Sequence, residues 1–515
     1  MRRDGACISL WQDGMPDYKA KQHNATADKI FDVLIVGAGI TGITTALLLQ
    51  QGGKSVLIAE AQNIGFGTSG GTTAHLNTLL DTPYNQIIKN FNEDAAKLVA
   101  KATRQSLDLV KKHVKEFGID CGYQELPAYL YSQDEEQTKE LDDIFDATQK
   151  AGVEVSVSNT IPVKIPFEKA IEVPAQAQFH PTRYMYALAK EFEKAGGVLV
   201  ENCRVTGINE NETLEVSTSQ GTFNARNLVY ATHIPPGVNL LHFRCAPYRS
   251  YAMAIKLKNE KDYPQALAYD MYDPYHYYRT QEVDGEKFLI AGGEDHKTAH
   301  EENTEGCFTK LESYVRQFYD IESIAFKWSS QYFEPVDGLP YIGHLPGNPN
   351  NIYVATGYGG NGMTYSHVAA ITLTEMINSG ESEYEKLFSP GRVKPVAGFN
   401  NFVKEAADVV GNFIGGIFSR EKLGELAELA PGEARVVRYE GTSLALYKDD
   451  SGKLHAVNPA CTHIKCTVGW NAAEKSWDCP CHGSRFSYDG EVLTAPARKD
   501  LEVIGLEELT EQGVK

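Results

Sequence analysis

A short apolar run from Phe31 to Val36 predicts a strand, and the glycine-rich GAGITG follows it. Apolar residues then recur at helical spacing to about Gln51, and SVLIAE predicts a second strand ending in Glu60. From Tyr84 to about Lys150 the pattern is helical and rich in Lys, Glu and Asp, which predicts helices with a solvated charged face. The stretch AQFHPTRYMYALAKEFEKAGGVLVENCRVTGI predicts a helix leading into a strand around Val205, and ARNLVYATH a buried strand. Between Ala246 and Ser329 the runs YRSYAMAIKL, PYHYYRT and EKFLIAGG alternate as an antiparallel sheet does. Alternate strand residues face opposite ways, so Tyr278 cannot share a face with both Tyr277 and Arg279. Near the C-terminal third, Phe399, Phe402, Val403, Ala406, Val409, Val410, Phe413, Ile414 and Ile417 fall at helical spacing. They predict an amphipathic helix that docks on the preceding domain; its polar face lacks the basic residues a membrane-surface helix uses.

The chain's 515 residues allow about three domains with sizeable cores. A formal net charge of -19 argues against nucleic acid or an anionic membrane surface as partner, since both would repel it. There is no run of eighteen apolar residues, and MRRDGACISLWQDGMP has no apolar stretch of the signal-peptide kind, so a cytoplasmic location without membrane contact is expected. Nine cysteines are too few for a disulfide framework, and Cys7, Cys121, Cys203, Cys245 and Cys307 show no mutual spacing. They read as ordinary thiols.

Two stretches carry chemistry. In the first, Gly37, Gly39 and Gly42 stand in GxGxxG spacing between strand and helix, and Glu60 ends the next strand. The first two glycines let backbone approach a pyrophosphate at a helix N-terminus, the third permits close helix packing, and the carboxylate takes a ribose hydroxyl pair. The following GFGTSGGTTAHLNT places Thr68, Ser69, Gly71, Thr72 and Thr73 in a loop rich in backbone and hydroxyl donors for a long ligand. In the second, CTHIKC and DCPCHGS offer Cys461, His463, Cys479 and His482, two thiolates and two imidazoles on two short loops. Ligand count alone fits a structural zinc.

The surroundings change that reading. The stretch resembles the Rieske iron-sulfur domain, in which two cysteines bind one iron of a 2Fe-2S cluster and two histidines the other. The resemblance implies a disulfide between Cys466 and Cys481, a hydroxyl from Ser484 directed at a bridging sulfur, and a proline loop over the cluster in SRFSYDGEVLTAPA. Phe486 replaces the tyrosine of high-potential members, so an intermediate potential is expected.

The N-terminal three quarters resembles the FAD-dependent D-amino-acid-oxidase superfamily, with its glycine, sarcosine and γ-glutamylputrescine oxidases. That implies FAD held by the GxGxxG unit, the Thr68–Thr73 loop and backbone around Val205. It also accounts for a second GxGxxG, Gly357, Gly359 and Gly362 in NIYVATGYGGNGMTYS, which no strand ending in an acid completes. There Gly359, Gly360, Gly362 and Met363 would bring backbone amides and a helix N-terminus to the flavin pyrimidine. His75 lies close to where some relatives attach flavin through histidine, one residue out of register, so a covalent link and an unlinked histidine beside the ring are both compatible. Tyr278 and Arg279 fall where γ-glutamylputrescine-type oxidases carry a similar YYR strand, and with His75 they are the expected catalytic residues. Near Tyr332 glycine oxidase has an arginine for the substrate carboxylate; its absence counts against free α-amino acids. Ser330 excludes the cysteinyl flavin link of sarcosine oxidases, and His233 reads as a structural histidine where relatives often have glycine.

The expected fold is thus an α/β FAD-binding Rossmann-like domain (28–85, 165–245 and 330–390), an α+β antiparallel-sheet substrate domain (86–164 and 246–329), a linker helix (391–424) and an all-β Rieske domain (425–515). The expected function is oxidation of an amine or N-substituted amino compound by hydride transfer to FAD, with electrons passed singly through the cluster to a protein or quinone. Two alternatives stay in view: an external donor that reduces the cluster and then the flavin, and a carrier or sensor that turns over nothing.

Overall fold

The computed structural model describes residues 2–22, 29–392, 429–439 and 442–505. The linker helix expected over 391–424 lies, from residue 393 onward, outside the described residues.

The apolar run at the start of the pattern becomes Ile30–Val36, a central strand of an eight-stranded sheet. The order across that sheet is Tyr341–His344, Ile352–Thr356, Gly221–Tyr230, Ile30–Val36, Val56–Ala59, Val198–Val200. Along this path all neighbours are parallel except Tyr341–His344, and Leu214–Thr218 and Val205–Glu210 extend the sheet antiparallel from Gly221–Tyr230. Helices on its face bury these runs, which is why the strands are almost wholly apolar. The helix Ile40–Gln51 follows the central strand directly, and its third motif glycine permits the contact: a Cβ on Gly42 would stand 2.0 Å from the Gly37 carbonyl oxygen.

A second, nine-stranded sheet runs Ile321–Pro335, Cys245–Leu257, Glu286–Lys297, Tyr277–Val283, Leu267–Tyr269, Gln124–Ser132, Lys169–Gln178, His75–Leu76, with Ser156–Ser158 beside Lys169–Gln178. It is antiparallel apart from the pairing of Leu267–Tyr269 with Gln124–Ser132. The expected boundaries shift here. Lys169–Gln178 belongs to this sheet and not to the FAD half, because its ladder partner is Gln124–Ser132. The chain returns to the parallel sheet through the helix Pro181–Lys194, and Ile321–Pro335 runs unbroken through the expected boundary at 329–330.

The C-terminal part forms two small antiparallel sheets. One comprises Ala434–Tyr439, Thr442–Lys448 and Leu454–Val457; the other Gly469–Asn471, Ser476–Asp478, Arg485–Ser487 and Val492–Thr494. Trp477 and Phe486 fill its core, and a disulfide joins Cys466 to Cys481.

Residues 2–22 form a strap that the sequence pattern did not predict. Trp11 is fully buried, and its indole N–H donates to the Thr72 carbonyl at 2.5 Å. Farther back the strap enters a buried cluster of six charges. Arg3 meets Glu474 at 3.1 Å, Arg485 meets Asp4 at 3.0 Å and Asp478 at 3.1 Å, and Arg249 lies 3.7 Å from Glu474 and 3.6 Å from Asp478. Three cations and three anions from the strap, the large sheet and the C-terminal sheet balance one another out of water, which ties three parts of the chain together.

Candidate functional site

One long cleft runs along the C-terminal ends of the parallel strands, as expected for open α/β sheets. Most of the expected cofactor residues line it: Gly37, Gly39, Glu60, Thr68, Ser69, Gly71, Thr72, Thr73, Val205, Gly359, Gly360, Gly362 and Met363. Gly42 does not; its part is the helix contact described above. At the nucleotide end Glu60 accepts hydrogen bonds from Ala38 N at 2.7 Å and Gln62 N at 2.8 Å. Burial raises its carboxyl above the ordinary value, and these amides and Arg204 oppose the rise. The Thr68–Thr73 loop is propped from beneath: Trp328 donates to the Gly71 carbonyl at 2.7 Å, Ser9 to the Gly70 carbonyl at 2.6 Å, and Trp11 to Thr72. A loop whose carbonyls are tied down on one side presents its amides and hydroxyls to the other, where the cleft lies.

His233 adopts a left-handed backbone, φ 69°, the conformation in which glycine is cheapest, and its ring packs edge-on against Phe333 with centroids 4.7 Å apart. Its Nδ1 lies 3.3 Å from the Thr68 hydroxyl, so the side chain is engaged but borders the cleft.

The expected catalytic trio does not stay together. His75 lines the cleft, with Nδ1 2.6 Å from the Tyr269 hydroxyl and its buried Nε2 without a hydrogen-bond partner. Burial, helped by Arg279, holds it well below the ordinary imidazole value, so it is neutral. Tyr278 instead points into the core beside Tyr131 and Tyr319, and Arg279 lies in the wall behind His75. Tyr277 takes the cleft face. Its ring lies over Gly292 on the neighbouring strand, where a Cβ would come within 2.1 Å of it. Tyr269, Tyr275, Asp81, Asp295 and Tyr332 complete that end; of the five, only the Tyr332 position stood out beforehand, through the resemblance to glycine oxidase. Asp295 accepts from the Ser250 hydroxyl at 2.5 Å and the Tyr332 hydroxyl at 2.8 Å. Asp81 accepts from the Tyr275 hydroxyl at 3.4 Å.

At the other site, Cys461, Cys479, His463 and His482 converge. The two thiols are in hydrogen-bond contact, and the imidazole centroids lie 5.1 Å apart. Nδ1 of both histidines is buried with no partner, and burial keeps both rings in the neutral form that ligates metal. These orphaned nitrogens facing two thiols fit a 2Fe-2S cluster. Cys466 and Cys481 lie near Cys479, but their disulfide removes them as ligands. The Ser484 hydroxyl contacts Cys461 and accepts from Ala497 N at 3.1 Å.

The histidine edge is docked on the FAD half. His463 Nε2 donates to the Gly237 carbonyl at 3.1 Å, His242 packs against the His463 and His482 rings at 4.8 and 5.8 Å, and Phe243 against His482 at 5.3 Å. Gln331, which lines the cleft, donates from Nε2 to the Gly483 carbonyl beside His482 at 2.8 Å. The proline loop reaches the cleft itself: Val492, Thr494 and Arg498 form part of its wall.

A dinucleotide cleft and a docked Cys2His2 cluster site on one chain define a flavoprotein with a Rieske centre. The FAD dependent oxidoreductase (DAO) family matches residues 32–376 and the Rieske [2Fe-2S] domain residues 419–505, and the chain belongs to that oxidoreductase family, with FAD and a 2Fe-2S cluster as its cofactors. It is 34% identical to the putative Rieske 2Fe-2S iron-sulfur protein YhfW of Bacillus subtilis (strain 168), over 96% of each chain. It is 24% identical to γ-glutamylputrescine oxidoreductase of Escherichia coli (strain K12), over 69% of this chain and 85% of that one. Glycine oxidase from Geobacillus kaustophilus shares the fold at a TM-score of 0.59 and 20% identity, over 70% of this chain and 99% of that one. No helix among the described residues is long and apolar enough to cross a membrane.

Proposed function

We propose that this oxidoreductase oxidises an amine or N-substituted amino compound and delivers the electrons singly to an external acceptor, a protein or a quinone. When bound, FAD supplies the two-electron hydride acceptor and the cluster the one-electron carrier. The chain's own residues do the rest. Gly37, Gly39 and the Thr68–Thr73 loop hold the dinucleotide, while Cys461, His463, Cys479 and His482 hold the cluster. Neutral His75, hydrogen-bonded to Tyr269, faces the reacting region without adding positive charge that would repel an amine.

The observation that carries this reading is the docking contact. Gln331 touches the cleft and, through Gly483, the loop of a cluster ligand, while His463 is tethered to Gly237. A cluster held this way is poised to exchange electrons inside the molecule, and an amine-side cleft supports the outward direction. The test is anaerobic mixing of holoenzyme with a panel of amines and amino compounds, following flavin absorbance and the cluster's EPR signal in the same samples. Flavin bleaching followed by growth of the reduced-cluster signal is expected. A flavin that no compound bleaches, but that a chemically reduced cluster reduces, overturns the direction.

A further inference from the structure

Residue charge is distributed unevenly along the cleft. Among the described residues that line it, the only arginines are Arg204 and Arg498, and there is no lysine. Both belong to the nucleotide end. Arg204 lies beside Glu60 and donates to the Val492 carbonyl at 3.0 Å; Arg498 donates to the Pro236 carbonyl at 2.9 Å. The tyrosine-walled end holds two carboxyl groups, Asp81 and Asp295, and no cation. Arg279 stands behind that wall, but its donors go to Gln281 Oε1 at 3.1 Å and the Phe179 carbonyl at 3.4 Å, and its guanidinium lies over the Trp11 ring at 5.0 Å.

We infer that this end of the cleft binds a small dication, an aliphatic diamine or a short polyamine with no carboxylate next to the reacting nitrogen. This deepens, and rests on, the proposed amine oxidation. Each carboxyl group sits on a different wall. Asp295 lies on the antiparallel strand Glu286–Lys297, aimed by Ser250 and Tyr332. Asp81 lies against the loop before the helix Gly362–Ser379, where a Cβ on Gly360 would stand 2.1 Å from its Oδ2. Two anions facing one aromatic space call for two positive groups, and tyrosine faces suit ammonium ions as well as their alkyl linker. Burial raises Asp81 to about 6 and Asp295 to about 7 although hydrogen bonds oppose the rise at both and His276 opposes it at Asp295, and a bound cation would relieve what remains. An α-carboxylate would meet two like charges and no guanidinium. To react, one ammonium of the bound dication gives its proton to a neighbouring carboxylate or to water. Its α-carbon then gives up a hydride to the acceptor that bound FAD would supply, the freed nitrogen lone pair closes a C=N bond, and water releases aldehyde and ammonia or amine.

Binding to oxidised holoenzyme, read anaerobically before the flavin bleaches, tests the inference apart from the oxidation. The probes are 1,4-diaminobutane, n-butylamine and sarcosine, read by the rapid perturbation of the flavin spectrum on mixing. Diaminobutane should bind at least about tenfold tighter than butylamine, and sarcosine weakest. Asp295→Asn should remove most of the diamine's advantage with little change for butylamine, and Tyr332→Phe, which keeps the carboxylate, should cost less; unaltered flavin spectra certify both folds. Sarcosine binding as tightly as diaminobutane, or equal diamine affinity in Asp295→Asn, overturns the dication. If diaminobutane binds as described and never bleaches the flavin, the oxidation reading fails and this one stands. If sarcosine binds best and bleaches it, the reverse holds.

Discussion

Replacing Glu474 by alanine should loosen the cluster domain from the rest of the molecule. Its carboxylate is fully buried and accepts from Arg3 Nη1 at 3.3 and 3.1 Å, from Ser329 N at 2.8 Å and from the Ser329 hydroxyl at 2.7 Å, with Arg249 3.7 Å away. Alanine leaves two buried guanidinium groups short of an anion. Breaking a buried pair from one side costs about 3–5 kcal/mol, whereas the exposed Arg2–Glu491 pair at 3.3 Å is worth at most about 1 kcal/mol. At about 1.4 kcal/mol per factor of ten, strap opening should rise more than about a hundredfold. Amide hydrogen exchange in residues 2–22, with limited proteolysis, reads that opening directly. Glu474→Gln should fall between, since it keeps an acceptor for Ser329 and loses the charge. Acid should mimic the mutation. Burial raises the Glu474 carboxyl, but Arg3, Arg249 and Arg485 outweigh it and hold the group below its ordinary 4.5. A depressed carboxyl contributes stability above its unfolded value and loses it as pH falls through the folded one, so wild-type opening should accelerate below about pH 4.5 and Glu474→Gln should lack that component. Exchange in Glu474→Ala within threefold of wild type would refute the clamp.

Further outcomes follow from the two sites. Gln331→Leu removes the contact with Gly483, so docking should weaken by about 1 kcal/mol, and stopped-flow transfer between flavin and cluster should slow while EPR g-values hold. Cys461→Ser or His463→Ala should abolish the cluster signal and lower iron content while FAD stays bound; a retained signal would remove that residue from the ligand set. Phe486→Tyr places a hydroxyl in the cluster core, and one added hydrogen bond of about 1 kcal/mol should raise the midpoint potential by roughly 40 mV; an unchanged titration would show that the hydroxyl does not reach the ligand sulfur. Burial and Asp81 raise the Asp295 carboxyl, while Ser250, Tyr332 and His276 oppose the rise, leaving it at about 7. Diaminobutane affinity should therefore fall as pH drops from about 8 to about 6, and Asp295→Asn should flatten the profile.

The nucleotide motif and the Cys-His motif were legible because each is built from neighbours in the chain. Gly37 to Glu60 is one strand-helix-strand unit, and its requirements, a close backbone approach and a terminal carboxylate, select residue types at set spacings. Cys461 to His482 is likewise two loops joined by one hairpin, and its ligands need only the right atoms on wrapping backbone. The substrate end was not legible in the same way. Alternation showed that Tyr277 and Tyr278 face opposite sides, but only the pairing with Glu286–Lys297, and Gly292 beneath the ring, determined which tyrosine meets the cleft. Asp81 and Asp295, more than two hundred residues apart, line one end of the cleft from two walls only because a loop and a sheet strand meet there. The strap carries charges that look like ordinary surface residues until Glu474, Asp478 and Arg485 close around them. Local backbone chemistry leaves its mark on spacing. Side-chain facing, charge balance and docking depend on register and on contacts between distant segments, and those exist only in the folded chain.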